Sequence, residues 1–264
     1  MIQARTLAGS HNVILITLDT LRYDVAQKAF EEGRLPILSR HIKEWEQRHS
    51  PGSFTYAAHQ AFFAGFLPTP VDSPTHKRLF ALDFNGSTTI DENTLVFDSE
   101  NIVSGFRSMG YQTLCIGGVG FFNRQTPLGC VIPDMFCHSY WQEEFGVTER
   151  NSTQHQINKA IEHLTQNTAP FFLFLNVSAI HQPNYFYRDG DNRDDKQSHQ
   201  KALEYVDQQL ARLFDWLPKR GDNLVIICSD HGTTYGEDNY HGHRLAHPHV
   251  WNVPYAEFII ESNL

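Results

Sequence analysis

The sequence predicts an α/β fold, a single domain with a mostly parallel central sheet and helices on both faces. Two patterns carry this expectation. Short, continuous apolar runs rich in β-branched residues recur at Asn12–Leu18, Gln112–Ile116, 170–177, 223–229 and 256–260, as expected of strands covered on both sides. Stretches with apolar residues at helical spacing separate them, which is the alternation of a parallel sheet.

In chain order, the first run closes on Asp19-Thr20-Leu21-Arg22. A turn at 50–54 precedes a helix predicted from about Tyr56. Ile157, Ile161 and Leu164 mark a short helix. Leu203, Val206, Leu210, Leu213, Phe214 and Leu217 mark a longer one, ended by Pro218 and Gly221. The segment 188–198 is strongly polar and reads as a mobile loop near the site or a solvated surface turn. No linker or repeat divides the 264 residues, so one domain covering 1–264 is expected.

The formal net charge of −9 argues against a broad basic surface for nucleic acid. It leaves room for a small anionic substrate, since a bound metal can invert the field of one cleft. The first apolar run is too short for a signal core or a membrane span. With no paired cysteine framework among Cys115, Cys130, Cys137 and Cys228, a cytoplasmic protein with no membrane partner is expected. Cys130 and Cys137-His138 match no zinc spacing and are assigned to ordinary packing.

Five of the fifteen histidines fall within 230–249, and histidine is a common metal ligand and proton carrier. In an open α/β sheet, ligands gather beyond the carboxyl ends of the strands. Asp19 follows the first strand directly, and Asp230-His231-Gly232 follows the strand at 223–229. Two carboxylates and an imidazole over one sheet edge suit Zn²⁺ or Mn²⁺. The alternative is that both acids cap helix N-termini. His241 can fold back to the same centre through turns at Gly236 and Gly242, and His181 follows the strand at 170–177. A hydroxyl at a helix N-terminus beside a metal makes a nucleophile. Ser50, Ser53 and Thr55 all qualify on chemistry alone.

Taken in order, these segments resemble the alkaline phosphatase superfamily, and within it the sulfatase-like hydrolases. The resemblance rests on 13–24 with its Asp19, Thr55 followed by Gly65, 179–185 around His181, Tyr205-Val206-Asp207, Cys228-Ser229-Asp230-His231-Gly232 with Gly236-Glu237 and His241-Gly242, and Val253-Pro254-Tyr255. It implies an alkaline phosphatase/sulfatase-like fold and selects Thr55 as the nucleophile. Departures narrow the chemistry. A threonine cannot become the formylglycine of sulfatases, and Ala57 and His59 stand where they keep proline and arginine. Thr20 replaces the second aspartate of the sulfatase pair, which weakens a calcium reading. The nearer resemblance is to phosphoethanolamine transferases, lipoteichoic acid synthases and nucleotide phosphodiesterases. The chain also stops soon after Pro254, which implies that it lacks the C-terminal subdomain of many sulfatases.

The resemblance therefore implies a metal-dependent hydrolase of phosphate-type esters, monoester or diester, working through a Thr55 covalent intermediate. The metal ligands expected are Asp19, Thr55, Asp230, His231 and His241. His59, one helical turn after Thr55, is expected to contact substrate, as are His181 and His243. Arg22 is expected to support Asp19 or its loop. One tight Zn²⁺ or Mn²⁺ is expected, with a second weak or assembled by substrate. The substrate expected is a small-molecule or peptide-linked anionic ester. Alternatives are a phosphotransferase or phosphomutase with the same site, a sulfuric ester hydrolase, and a non-catalytic binding protein.

Overall fold

The computed structural model describes residues 2–65, 101–188, 190 and 192–263. Its strands are β1 (Asn12–Leu18), β2 (Glu46–His49), β3 (Gln112–Ile116), β4 (His138–Tyr140), β5 (Phe171–Val177), β6 (Asn223–Cys228), β7 (Thr234–Tyr235), β8 (His241–Gly242) and β9 (Asn252–Ile260). Its α-helices are α1 (Ala4–Leu7), α2 (Tyr23–Glu31), α3 (Thr55–Ala64), α4 (Ile102–Ser108), α5 (Pro127–Val131), α6 (Ser152–Thr165), α7 (Lys196–Trp216) and α8 (Pro248–Trp251).

Among the described residues seven strands form one sheet in the order β2-β9-β6-β1-β5-β3-β4. From β6 to β4 all pairs are parallel, while β9 runs antiparallel to β6 and β2 antiparallel to β9. The apolar runs are continuous because both sheet faces are covered. Along β1, Ile14, Ile16 and Leu18 join a core that includes α2, α6 and α7, whereas Val13 packs with Tyr56 and Phe63 of α3 on the other side. Along β5 the same alternation sends Leu173 and Leu175 one way and Phe172 and Phe174 the other. The predicted single α/β domain is thus the observed one.

Four elements depart from expectation. The last strand begins at Asn252 and is antiparallel. The short strands β2 and β4 carry too few apolar residues to announce themselves. Helix α7 begins at Lys196, inside the segment expected to be loop or turn, because Asp195 accepts hydrogen bonds from the Gln197 and Ser198 amides while Ser198 Oγ receives the Asp195 N–H. This is a capping box. Asp189 and Asp191 of that segment lie outside the described residues.

Candidate active site

Parallel strands end their carboxyl termini along one edge, and β1 and β6 are neighbours there. Asp19 leaves β1 fully buried. Its Oδ1 accepts a hydrogen bond from Thr20 Oγ1 at 2.8 Å, and its Oδ2 accepts one from Asn176 Nδ2 at 3.0 Å. Thr20 sits at φ 71, a strained region for a β-branched residue. The strain turns its amide toward Asp230 Oδ1, 3.2 Å away, which ties the two strand ends together.

Asp230 and His231 follow β6, both fully buried. His231 Nδ1–H donates to Gly232 O at 2.8 Å, leaving the Nε2 lone pair to face the carboxylates. That nitrogen lies 3.6 Å from Asp230 Oδ2 and 3.8 Å from Asp19 Oδ1. Gly232 has no room for a side chain, because a Cβ would stand 2.1 Å from the His249 carbonyl oxygen. Asp230 Oδ2 is buried without a hydrogen-bond partner, and a buried, unpaired carboxylate oxygen is costly. Burial, then the charge of Asp19, pushes the Asp230 carboxyl well above its ordinary value. Burial also pushes Asp19 up, but His181, His231, Asn176 and Thr20 outweigh it and hold that carboxyl below the usual range.

Ligand atoms of Asp19, Asp230 and His231 lie within 4.8 Å of one another, the one such group of three metal-ligating side chains among the described residues. Two carboxylates and an imidazole with an orphaned oxygen fit a divalent cation.

Of the three candidate hydroxyls, Ser50 and Thr55 separate clearly. Ser50 Oγ is tied to the Asp230 and Gly52 carbonyls, and the Ser53 carbonyl receives the Arg244 amide at 2.8 Å. Thr55 Oγ1 lies 3.4 Å from both Asp19 Oδ2 and His231 Nε2. Thr55 is the first residue of α3, after an extended Phe54, and it is 2 % exposed. Gly65, in the left-handed region at φ 82, closes that helix.

Two histidines differ from expectation. His59 lies one turn after Thr55 but beneath it, fully buried. Its Nδ1–H donates to Thr55 O at 2.7 Å and its Nε2 accepts from Thr17 Oγ1 at 3.1 Å. The rings of Phe62, Phe122 and Phe174 surround it, and burial drives its pKa to about 4. It holds the helix start instead of facing a substrate. His241 is exposed, because the β7–β8 hairpin pairs it with Tyr235 and carries it away from the carboxylates. His243 arrives in its place, its ring 4.6 Å from that of His231 and 5.6 Å from that of His181.

His181, His243, Thr55 and Arg244 share the wall of a hollow of about 330 Å³. His181 Nδ1–H donates to Gln182 O, so its Nε2 is free for a ligand. Burial, then His231, lowers His243 to a pKa of about 4, and its buried Nδ1 has no partner. A neutral His243 thus has one hydrogen-bonding group to spare.

Sequence reasoning passed over Asn176 and Arg244. Asn176 holds Asp19 through Nδ2 and receives the Gly118 and Val119 amides on Oδ1 at 3.3 and 3.2 Å. The signal was one amide at the carboxyl end of an otherwise apolar strand. Arg22 meets the expectation of a support. Fully buried, it pairs with Asp24 and Glu237 at 2.7 and 2.6 Å and donates to Thr233 O.

Burial opposes ionisation of Glu237, but the Tyr235 amide, Arg22 and Lys196 outweigh it and hold its carboxyl far below the usual range. A carboxyl depressed on folding adds stability above its unfolded pKa of about 4.3 and loses it as pH falls toward the folded value. Thermal melts of wild type and Glu237→Gln should therefore differ most above about pH 5, wild type being the more stable, and converge below pH 4. A constant gap across that range would remove Glu237 as the cause.

The geometry agrees with a comparison of the whole chain. Residues 11–256 match the family model described as Sulfatase. The chain belongs to the sulfatase family. It carries that family's fold within the alkaline phosphatase superfamily, whose members are enzymes. No curated protein sequence matches it.

Among solved structures, this sulfatase-family chain is similar to the C-terminal periplasmic domain of phosphoethanolamine transferase EptC from Campylobacter jejuni (TM-score 0.66, 14% identity, 95% of this chain and 79% of that one). It is similar to the same domain of Escherichia coli EptC in complex with Zn (0.65, 12%, 96% and 73%). A third is the lipoteichoic acid synthase LtaP from Listeria monocytogenes (0.63, 15%, 98% and 67%). At such identities the likeness is one of fold.

These neighbours overturn the cytoplasmic reading, since two of them are periplasmic domains. Unpaired cysteines and a short first apolar run were weak grounds for a compartment. The expectation of no membrane partner is likewise not borne out. Among the described residues no helix is long and apolar enough to cross a membrane.

Proposed function

We propose that this domain transfers a phosphoryl-type group from an anionic ester through Thr55, with a divalent metal held by Asp19, Asp230, His231 and Thr55. The observation that carries the reading is the placement of Thr55 Oγ1, 3.4 Å from both Asp19 Oδ2 and His231 Nε2, at the start of a helix. The bound cation would lower the Thr55 pKa and offset charge on the transferring group. The donor set and the zinc-bound relative support Zn²⁺.

Thr55 Oγ attacks phosphorus in line with the leaving oxygen. The P–O bond to that oxygen breaks, and the leaving oxygen takes a proton from solvent water at the open mouth of the hollow. Asp19 Oδ2 is the nearest carboxylate acceptor for the threonine hydroxyl proton. Amides at the start of α3 and the side chains of His181, His243 and Arg244 face the phosphoryl oxygens. Water or an alcohol then attacks phosphothreonine and frees Thr55. The neighbour named as a phosphoethanolamine transferase favours an alcohol acceptor as the second reading, and the two periplasmic domains support work outside the cytoplasm.

Purified protein with Zn²⁺ or Mn²⁺ should turn over aryl phosphate, phosphodiester or phosphonate esters in preference to sulfate. Product analysis with added alcohols separates hydrolysis from transfer. No turnover of any ester by metal-loaded protein would sink the reading. His243→Ala is expected to raise KM about tenfold while moving stability by less than about 1 kcal/mol, because the lost nitrogen has no protein partner. An unchanged KM in steady-state kinetics would remove His243 from the substrate site.

A further inference from the structure

The lining of the hollow beside Thr55 is of two kinds: Thr55, His181, His243 and Arg244 are polar, and Val119, Phe121, Leu128 and Val147 are apolar. Val119 and Phe121 come from the segment after β3, Leu128 from α5, and Val147 from the stretch before α6. Phe121 is half-buried and packs against Phe54 and Tyr56, with centroids 6.2 and 5.6 Å away. Val119 is 7 % exposed, and Leu128 and Val147 are half-buried against the same aromatic core.

Two polar side chains on this wall make local hydrogen bonds. Asn123 Oδ1 accepts the Gln125 amide at 2.9 Å, and its Nδ2 donates to Gln125 Oε1. Thr126 Oγ1 accepts the Gly129 amide at 3.0 Å as the cap of α5. Beside them the wall offers the carbon of Val119, Phe121, Leu128 and Val147, and Arg244 supplies a cationic group among the lining residues, its guanidinium 5.2 Å from the Phe54 ring.

We infer that the ester taken by this site carries a compact, ring-sized apolar group lying on Phe121, Val119, Leu128 and Val147. The inference rests on the reading of Thr55 and its neighbours as the phosphoryl site. A sugar or polyol ester would lay hydroxyls on these four apolar side chains, which offer them no hydrogen bond and so disfavour it. An apolar ring gains from leaving water, and the small volume of the hollow limits the size of the group.

Binding tests this without turnover. Calorimetric titrations of the zinc-loaded protein with methylphosphonate, benzylphosphonate and glycerol phosphate compare one anionic head with three substituents. Benzylphosphonate is expected to bind at least about tenfold tighter than the other two, and Phe121→Ala should bring it level with methylphosphonate. Glycerol phosphate binding as tightly as benzylphosphonate would overturn the inference. So would a benzyl preference untouched in Phe121→Ala. The wild-type series alone decides the matter if that variant fails to fold. Absent turnover with the benzyl preference intact would sink the transfer reading and leave this one standing.

Discussion

Replacing Thr55 with alanine is expected to lower kcat by about 10³-fold or more, the scale of losing a covalent nucleophile, and to leave the fold intact. The second half of that expectation is what separates catalysis from structure. A threonine at a helix start is most often a cap, its hydroxyl accepting a backbone amide two or three residues on. Thr55 is not placed to do so. Phe54 occupies the cap position, no side chain caps α3, and Thr55 Oγ1 turns instead to Asp19 and His231. Removing it forfeits two long hydrogen bonds and no cap, a change of about 1 kcal/mol. Unfolding by heat should therefore barely move, while turnover collapses. Mass spectrometry of a quenched reaction should find one phosphoryl group on Thr55 in wild type and none in the variant. Activity that survives in Thr55→Ala but not in Ser53→Ala would reassign the nucleophile.

How much of this was legible in the sequence depends on the type of position. Strand ends were readable because double-faced burial makes the runs continuous, so Asp19, Asp230 and His231 could be put on one edge before any coordinates. Histidine choice was not readable. Whether His241 or His243 returns to the centre depends on where the short β7–β8 pairing ends, with His241 held in it opposite Tyr235 and His243 just beyond it. His59 shares a helical face with Thr55, as its spacing predicted, but the spacing is silent on whether that face looks into the hollow or down onto the aromatic core. The hydroxyl was chosen by family resemblance, and Thr55 Oγ1 lies 3.4 Å from both Asp19 Oδ2 and His231 Nε2. Asn176 was hidden for another reason. Its work is with backbone amides of the segment after β3, and no local pattern announces a contact that distant.

Asp230→Asn is expected to make the metal-free protein more stable and to abolish its response to metal. Metal-free, the wild type holds two carboxylates and an imidazole within 4.8 Å, with Asp230 Oδ2 bonded to nothing. Because burial and Asp19 raise the Asp230 carboxyl above its unfolded value, folding stability from this group is full below about pH 3.9 and is lost as pH rises toward the raised value. The amide of the variant keeps an oxygen for the Thr20 and His231 amides and carries no charge to repel Asp19, so that loss disappears. A cation removes the same penalty in wild type by binding only the folded state. At a thousand times its Kd it adds about 4 kcal/mol, or about 10 °C in a chain of this size. Melting curves with chelator and with Zn²⁺ should thus show wild type climbing by about that much and Asp230→Asn already high and flat. A variant less stable than metal-free wild type would mean that Asp230 is held by contacts and not opposed by charge, and the metal reading of the cluster would lose its main physical support.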